Sequence, residues 1–211
     1  MKIENQIEDY HKVLVEMSLR VRSMMVKALD CLSSGNKEVA LHVVEMDEFI
    51  NHEDSDINDR AIEVLSLLQP VASDLRLILA GIRISNDLER IGDYAKNIAK
   101  YVIKNNVNDI MYSQDMVAIG NIFLRNYDEA LLALKDMSVE LAYKAPANDD
   151  ELDEAFKVYG SNLEESITKN EAHLPLATFS ILRNIERAGD HTKNVCESII
   201  YAKKGQHIDF G

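Results

Sequence analysis

Carboxylates repeated at matched positions are the residues of this chain whose type and spacing could do chemistry. Residues 87–102, DLERIGDYAKNIAKYV, align without gaps at an offset of 97 with residues 184–199, NIERAGDHTKNVCESI, and six of the sixteen positions are identical in the pattern ERxGDxxKN. Each copy sets two acids four residues apart, Glu89 with Asp93 and Glu186 with Asp190. On a helix that spacing stacks them on one face. Like charges so placed repel, costing roughly 0.2–0.5 kcal/mol unless a cation intervenes, a role open in part to Lys96 and Lys193. A solvated polar face is the plain reading of such residues, yet a repulsive pair kept in both copies is odd for mere solubility. Gly92 and Gly189 lie inside the repeat, where a mid-helix glycine costs about 1 kcal/mol relative to alanine, so a helix or a ligand is expected close to the backbone there.

A second acidic segment precedes the first copy. From Glu45 to Asp59 there are seven acids and no lysine or arginine, with Asp47 and Asn51 again at i and i+4. If the segments on either side of Pro70 form an antiparallel helical hairpin, Asn51 lies 19 residues before the proline and Glu89 lies 19 after it. The two then sit at one level. Facing helices that present oxygen donors at one height suit a divalent or trivalent metal ion, with carboxylates able to bridge several ions. The same construction in the second half sets Glu186 opposite Glu154, with Asp150 one turn away; Asp149 with Asp153 is an alternative pair.

Other reactive groups are sparser. His191 adjoins Asp190, and Glu8 with His11 forms the one ExxH spacing, whereas a ferritin-like di-iron enzyme wants two on separate helices. Cys31 and Cys196 are far apart with no CxxC, which fits reduced thiols better than a disulfide framework. A phosphate-binding glycine loop and a nucleophile elbow are both missing.

The elements that must position these acids read as helices. Ile7, Tyr10, Leu14, Met17, Val21, Met24, Ala28 and Cys31 recur in steps of three and four, one face of a long helix, and Ser33-Ser34-Gly35-Asn36 stops it. Further helices are expected from about Lys37 to Leu68, Pro70 to Lys104, Ser113 to Tyr143, Asp149 to Thr168, and from the turn at 170–175 to Lys204, with 105–109 as a linker. Leu88, Ile91, Ala95, Ile98 and Val102, and their counterparts Ile185, Ala188, Thr192, Val195 and Ile199, form core seams beside the polar lines. The fold class expected is all-α: tandem duplicated three-helix bundles of six long antiparallel helices, divided at residues 1–106 and 107–211.

Composition bounds the function. The 211 residues carry 36 acids and 23 bases, a net charge of −13, while 46% are hydrophobic and glycine and proline number only 8 and 3. Such a charge disfavours direct contact with nucleic acid or anionic lipid, so membrane association is expected only through partners. Neither a secretory signal nor an apolar run of membrane-spanning length is read, which points to the cytoplasm.

The duplicated ERxGDxxKN, the segment QPVASDLRLI at 69–78 and Asp47 with Asn51 together resemble the PhoU family of accessory proteins of the phosphate ABC transporter. That resemblance covers essentially the whole chain. It implies two three-helix bundles, a cytoplasmic and often dimeric protein, and multinuclear sites for iron or zinc, sometimes manganese or magnesium. Matched residue by residue, Glu89 and Asp93 carry the first motif, Glu186 and Asp190 the second, and Asp47 with Asn51 the partner helix; the partner motif of the second half departs from the family pattern. The family function implied is non-enzymatic: restraint of phosphate uptake and repression of the starvation regulon, bridging the transporter's ATPase and a sensor histidine kinase. A di-metal carboxylate enzyme and a metal-free helical scaffold are the competing readings.

Overall fold

Gly35 takes a φ of 72°, a conformation glycine reaches without steric cost, and its N–H donates to the Cys31 carbonyl at 2.8 Å to close the first helix. Asn36 then opens the next, its Oδ1 accepting from the N–H groups of Glu38 and Val39 at 3.0 and 3.2 Å. The computed structural model describes residues 3–68, 70–105, 113–148, 150–167 and 173–211. Among them every regular element is helical: α1 Ile3–Ser34, α2 Lys37–Leu68, α3 Ala72–Lys104, α4 Ser113–Asp136, α5 Val139–Lys144, a 3₁₀ turn Ala145–Asn148, α6 Asp150–Ile167 and α7 His173–Lys204. The all-α duplicated bundle holds. Linker residues 106–109, together with Gln69, Asp149, Thr168 and the turn at 170–172, lie outside the described residues.

One boundary differs from the expectation. The helix read from Ser113 to Tyr143 stops at Asp136, and Val139–Lys144 forms a separate short helix. Met137 adopts a φ of 45°, its N–H donates to Leu134 at 3.2 Å and that of Ser138 to Ala133 at 2.9 Å. This is a Schellman closure with methionine where glycine is usual. Ser138 then caps α5, its hydroxyl accepting from the Leu141 N–H at 3.3 Å.

Both predicted seams are buried throughout. In the first half α1, α2 and α3 pack on one another, and in the second α4 and α6 pack on α7. The halves are not separate bodies, since α3 and α7 form the most extensive helix pair and α1 also packs on α4. Across the α1–α4 contact the Tyr127 hydroxyl donates to the Ser18 carbonyl at 2.9 Å, and Arg22 holds Asp128 with both arms of its guanidinium. His11 joins the same seam, with Nε2 2.8 Å from the Leu134 carbonyl. The ExxH histidine therefore serves packing, while Glu8 is exposed.

At the first repeat glycine the neighbour is a helix. A Cβ on Gly92 would stand 3.4 Å from Cγ2 of Ile50 on α2. Close approach of α2 is what aligns its acids with those of α3.

Candidate metal centre

In the first half the acids of α2 and α3 meet as the hairpin geometry requires. Asp47 is buried, 5% exposed, and its Oδ2 accepts from Lys96 Nζ at 2.7 Å. The same ammonium pairs with Asp93, so Lys96 bridges the two helices. Burial pulls its pKa down, but hydrogen bonds to Asp47 and Asp93 outweigh that and leave it raised. Asn51 Nδ2 lies 3.4 Å from Asp47 Oδ2 in an exposed position. Arg90 flanks the outer side, 3.7 Å from both Glu89 and Asp93.

Glu89 carries the electrostatic signature of the cluster. Its proton affinity is raised by burial first, then by Asp93, with Arg90 opposing and Asp54 and Asp47 adding to the rise. Asp54, seven residues beyond Asp47, thus belongs to the site; an i, i+4 spacing does not reach it, although Asp47, Asn51 and Asp54 share one helical face. Asp47 Oδ1, Asp54 Oδ1 and Glu53 Oε2 are buried with no hydrogen-bond partner among the described residues. A buried acceptor without a donor is costly and calls for an explanation.

The second half repeats the pattern with a different register. Glu186 is raised by burial first, then by Asp190 and Asp153, with Arg187 and Arg183 opposing. Lys193 pairs with Asp190 at 3.0 Å, matching one half of the Lys96 bridge. The partner acid from α6 is Asp153; Glu154 is exposed. Leu152 is buried and so fixes the inward face of α6, and a step of two residues from it turns Glu154 outward. The side chain of Asp150 lies outside the described residues.

His191 is not part of either cluster. Its Nδ1 donates to Asp87 at 2.8 Å and its Nε2 lies 3.4 Å from the Tyr94 hydroxyl. Asp87 also accepts from Asn194 at 3.2 Å, and the whole network joins α3 to α7.

Chemically, the donors are carboxylate and amide oxygens, a set suited to hard cations. Burial first and neighbouring carboxylates second raise the proton affinity of Glu89 and Glu186. Among the described residues no three acid, histidine or cysteine side chains converge into a ready coordination sphere. In the first cluster Lys96 supplies the positive charge between Asp47 and Asp93. The donor types are those a metal ion would take, and Lys96 stands between two of them, Asp47 and Asp93.

Comparison with known proteins joins these observations. A family model described as "PhoU domain" matches residues 14–102 and 116–199. A Clostridium acetobutylicum protein named phosphate-specific transport system accessory protein PhoU homolog is 28% identical over 98% of this chain and 96% of its own length. The Thermotoga maritima homolog 1 of that name is 29% identical over 92% of this chain and 85% of its own. In fold, the crystal structure of PhoU from Pseudomonas aeruginosa superposes with a TM-score of 0.91 at 28% identity, covering 97% of this chain and all of the other. With its repeated motif, duplicated helical halves and family match over most of its length, the chain belongs to the PhoU family.

Proposed function

We propose that this protein is a cytoplasmic regulator of phosphate uptake and a negative regulator of the phosphate-starvation response, acting without catalysis. It serves as a metal-binding adaptor between the ATPase of a phosphate ABC transporter and a sensor histidine kinase, and works as a homodimer of chains built from units 1–106 and 107–211. The observation that carries the reading is its full-length similarity to proteins named phosphate-specific transport system accessory proteins. Among the described residues no helix is long and apolar enough to cross a membrane, which supports a protein that reaches the transporter through its subunits.

Metal ions, iron or zinc first and manganese or magnesium next, are held by Asp47, Asp54, Glu89 and Asp93 with Asn51 in the first half. In the second half Glu186, Asp190 and Asp153 hold them. Bound there, a metal supplies positive charge that pins each helix hairpin. The residues of the chain set the geometry: Ile50 against Gly92 holds α2 to α3, and Lys96 and Lys193 stabilise the metal-free acids until exchange.

Deletion of the gene is the test. Alkaline phosphatase expression and phosphate uptake should both rise at high external phosphate, and wild-type protein should restore repression. Repression that persists in the deletion strain contradicts the proposal.

A further inference from the structure

The α3–α7 contact has an internal pseudo-twofold. Tyr94 and His191, counterparts at the offset of 97, meet with ring centroids 5.7 Å apart, and the helices run antiparallel on either side of them. Two grooves flank this axis. One, of about 470 Å³, includes Asn86, Asp87, Asn194, Glu197 and Tyr201. The other, of about 330 Å³, includes Arg183, Asn184, Asn97, Lys100 and Lys104. Residue for residue these sets are counterparts at the same offset: Asn86 with Arg183, Asp87 with Asn184, Asn194 with Asn97, Glu197 with Lys100, and Tyr201 with Lys104. Duplication made one groove twice, and the copies have since diverged in charge.

The larger groove is internally satisfied. Asp87 is taken by His191 and Asn194, Glu197 accepts from the Phe210 N–H at 2.8 Å, and Tyr201 stacks on His207 of the carboxyl-terminal segment at 4.5 Å. Its twin is the opposite. Arg187 joins Arg183, Lys100 and Lys104, giving four cations and no carboxylate among its lining residues, in a chain of net charge −13. None of the four makes a salt bridge or side-chain hydrogen bond among the described residues. Lys100 with Lys104 and Arg183 with Arg187 are each like-charged pairs at i and i+4; Glu186 offsets part of the second repulsion, and a bound anion would relieve both.

The geometry points to this smaller groove as a binding site for a small polyanion of linked phosphoryl groups. Guanidinium forks from α7 suit phosphoryl oxygens, lysines from α3 add point charges, and the Asn97 and Asn184 amides add neutral donors. Four cations facing one cavity match a ligand of three or four negative charges better than a single orthophosphate. The volume lies within the range of small-molecule sites, about 300–1,000 Å³. The groove adjoins the second carboxylate cluster, since Arg183 and Arg187 also act on Glu186, but it does not depend on the regulatory role proposed above.

Isothermal titration of the full chain in metal-free buffer tests it, with tripolyphosphate, ATP, orthophosphate and citrate as probes. Tripolyphosphate or ATP should bind at least tenfold tighter than orthophosphate or citrate. Equal affinity for the first two marks an inorganic phosphate chain as the ligand type, and tighter ATP marks a nucleotide. Lys100→Glu, which installs the twin's residue, should weaken binding at least tenfold. Arg83→Glu in the larger groove makes the same charge change and should weaken it less than twofold, with helical circular dichroism unchanged in both variants. Absence of binding, citrate binding as tightly as tripolyphosphate, or equal losses in the two variants overturns the assignment.

Discussion

Glu89 and Glu186 hold their protons more tightly than a carboxylate with the ordinary pKa of 4.5. A folded-state pKa raised above the unfolded value means that ionisation at neutral pH opposes folding, and that the penalty fades as pH falls through the raised value towards 4.5. In chelator, Glu89→Gln and Glu186→Gln should therefore each stabilise the protein at neutral pH by about 0.2–0.5 kcal/mol, the scale of a like-charge helical pair. That gain should vanish once the wild-type carboxyls are protonated, as denaturant titrations across pH would show. Lys96 acts in the reverse sense. Lys96→Met strips Asp47 of its ammonium partner and should cost about 3 kcal/mol in chelator, the typical loss for one member of a buried pair, with added divalent metal recovering part of it. The repeated motif made Glu89, Asp93, Glu186 and Asp190 legible in the sequence, since spacing along one helix needs no tertiary information. Asp153 was harder to single out because its role depends on the rotation of α6, which is set by burial of Leu152. Nor does a linear pattern reveal that Lys96 spans two helices.

Helix ends show the same division between local and tertiary information. Gly35 with Asn36 announced the end of α1 by residue type, and Gly205 follows α7 in the structure; both glycines take positive φ, 72° and 67°. The break after Asp136 carried no such mark because Met137 occupies the left-handed position. Met137→Gly should raise stability by about 1 kcal/mol, the approximate cost of holding a side chain in that region, while Ser138→Ala should lower it by a similar amount through loss of the α5 cap. Thermal unfolding of the two variants would check both signs. At Gly81 a Cβ would collide with the Tyr10 ring, so Gly81→Ala should destabilise by about 1–3 kcal/mol, as overpacking does.

At the scale of the whole molecule, the two halves share one core. Helix α1 belongs to both through its contacts with α4, and α3 lies along α7. Calorimetry of the metal-free chain should show one cooperative transition; two resolved transitions would mean that the halves fold apart. The repeat announced the duplication but not this joint, because internal similarity records what each half contains and is silent on how the halves meet. The matched acid clusters of the two halves are proposed as metal centres. Elemental analysis of protein purified without chelator or nickel affinity, in wild type and in variants with each cluster neutralised, tests this most directly. Bound iron, zinc, manganese or magnesium is expected in the wild type, with partial loss in Glu89→Gln/Asp93→Asn or in Glu186→Gln/Asp190→Asn, and complete loss when all four are combined. A wild-type protein free of metal, or metal content unchanged in the fourfold variant, would contradict it.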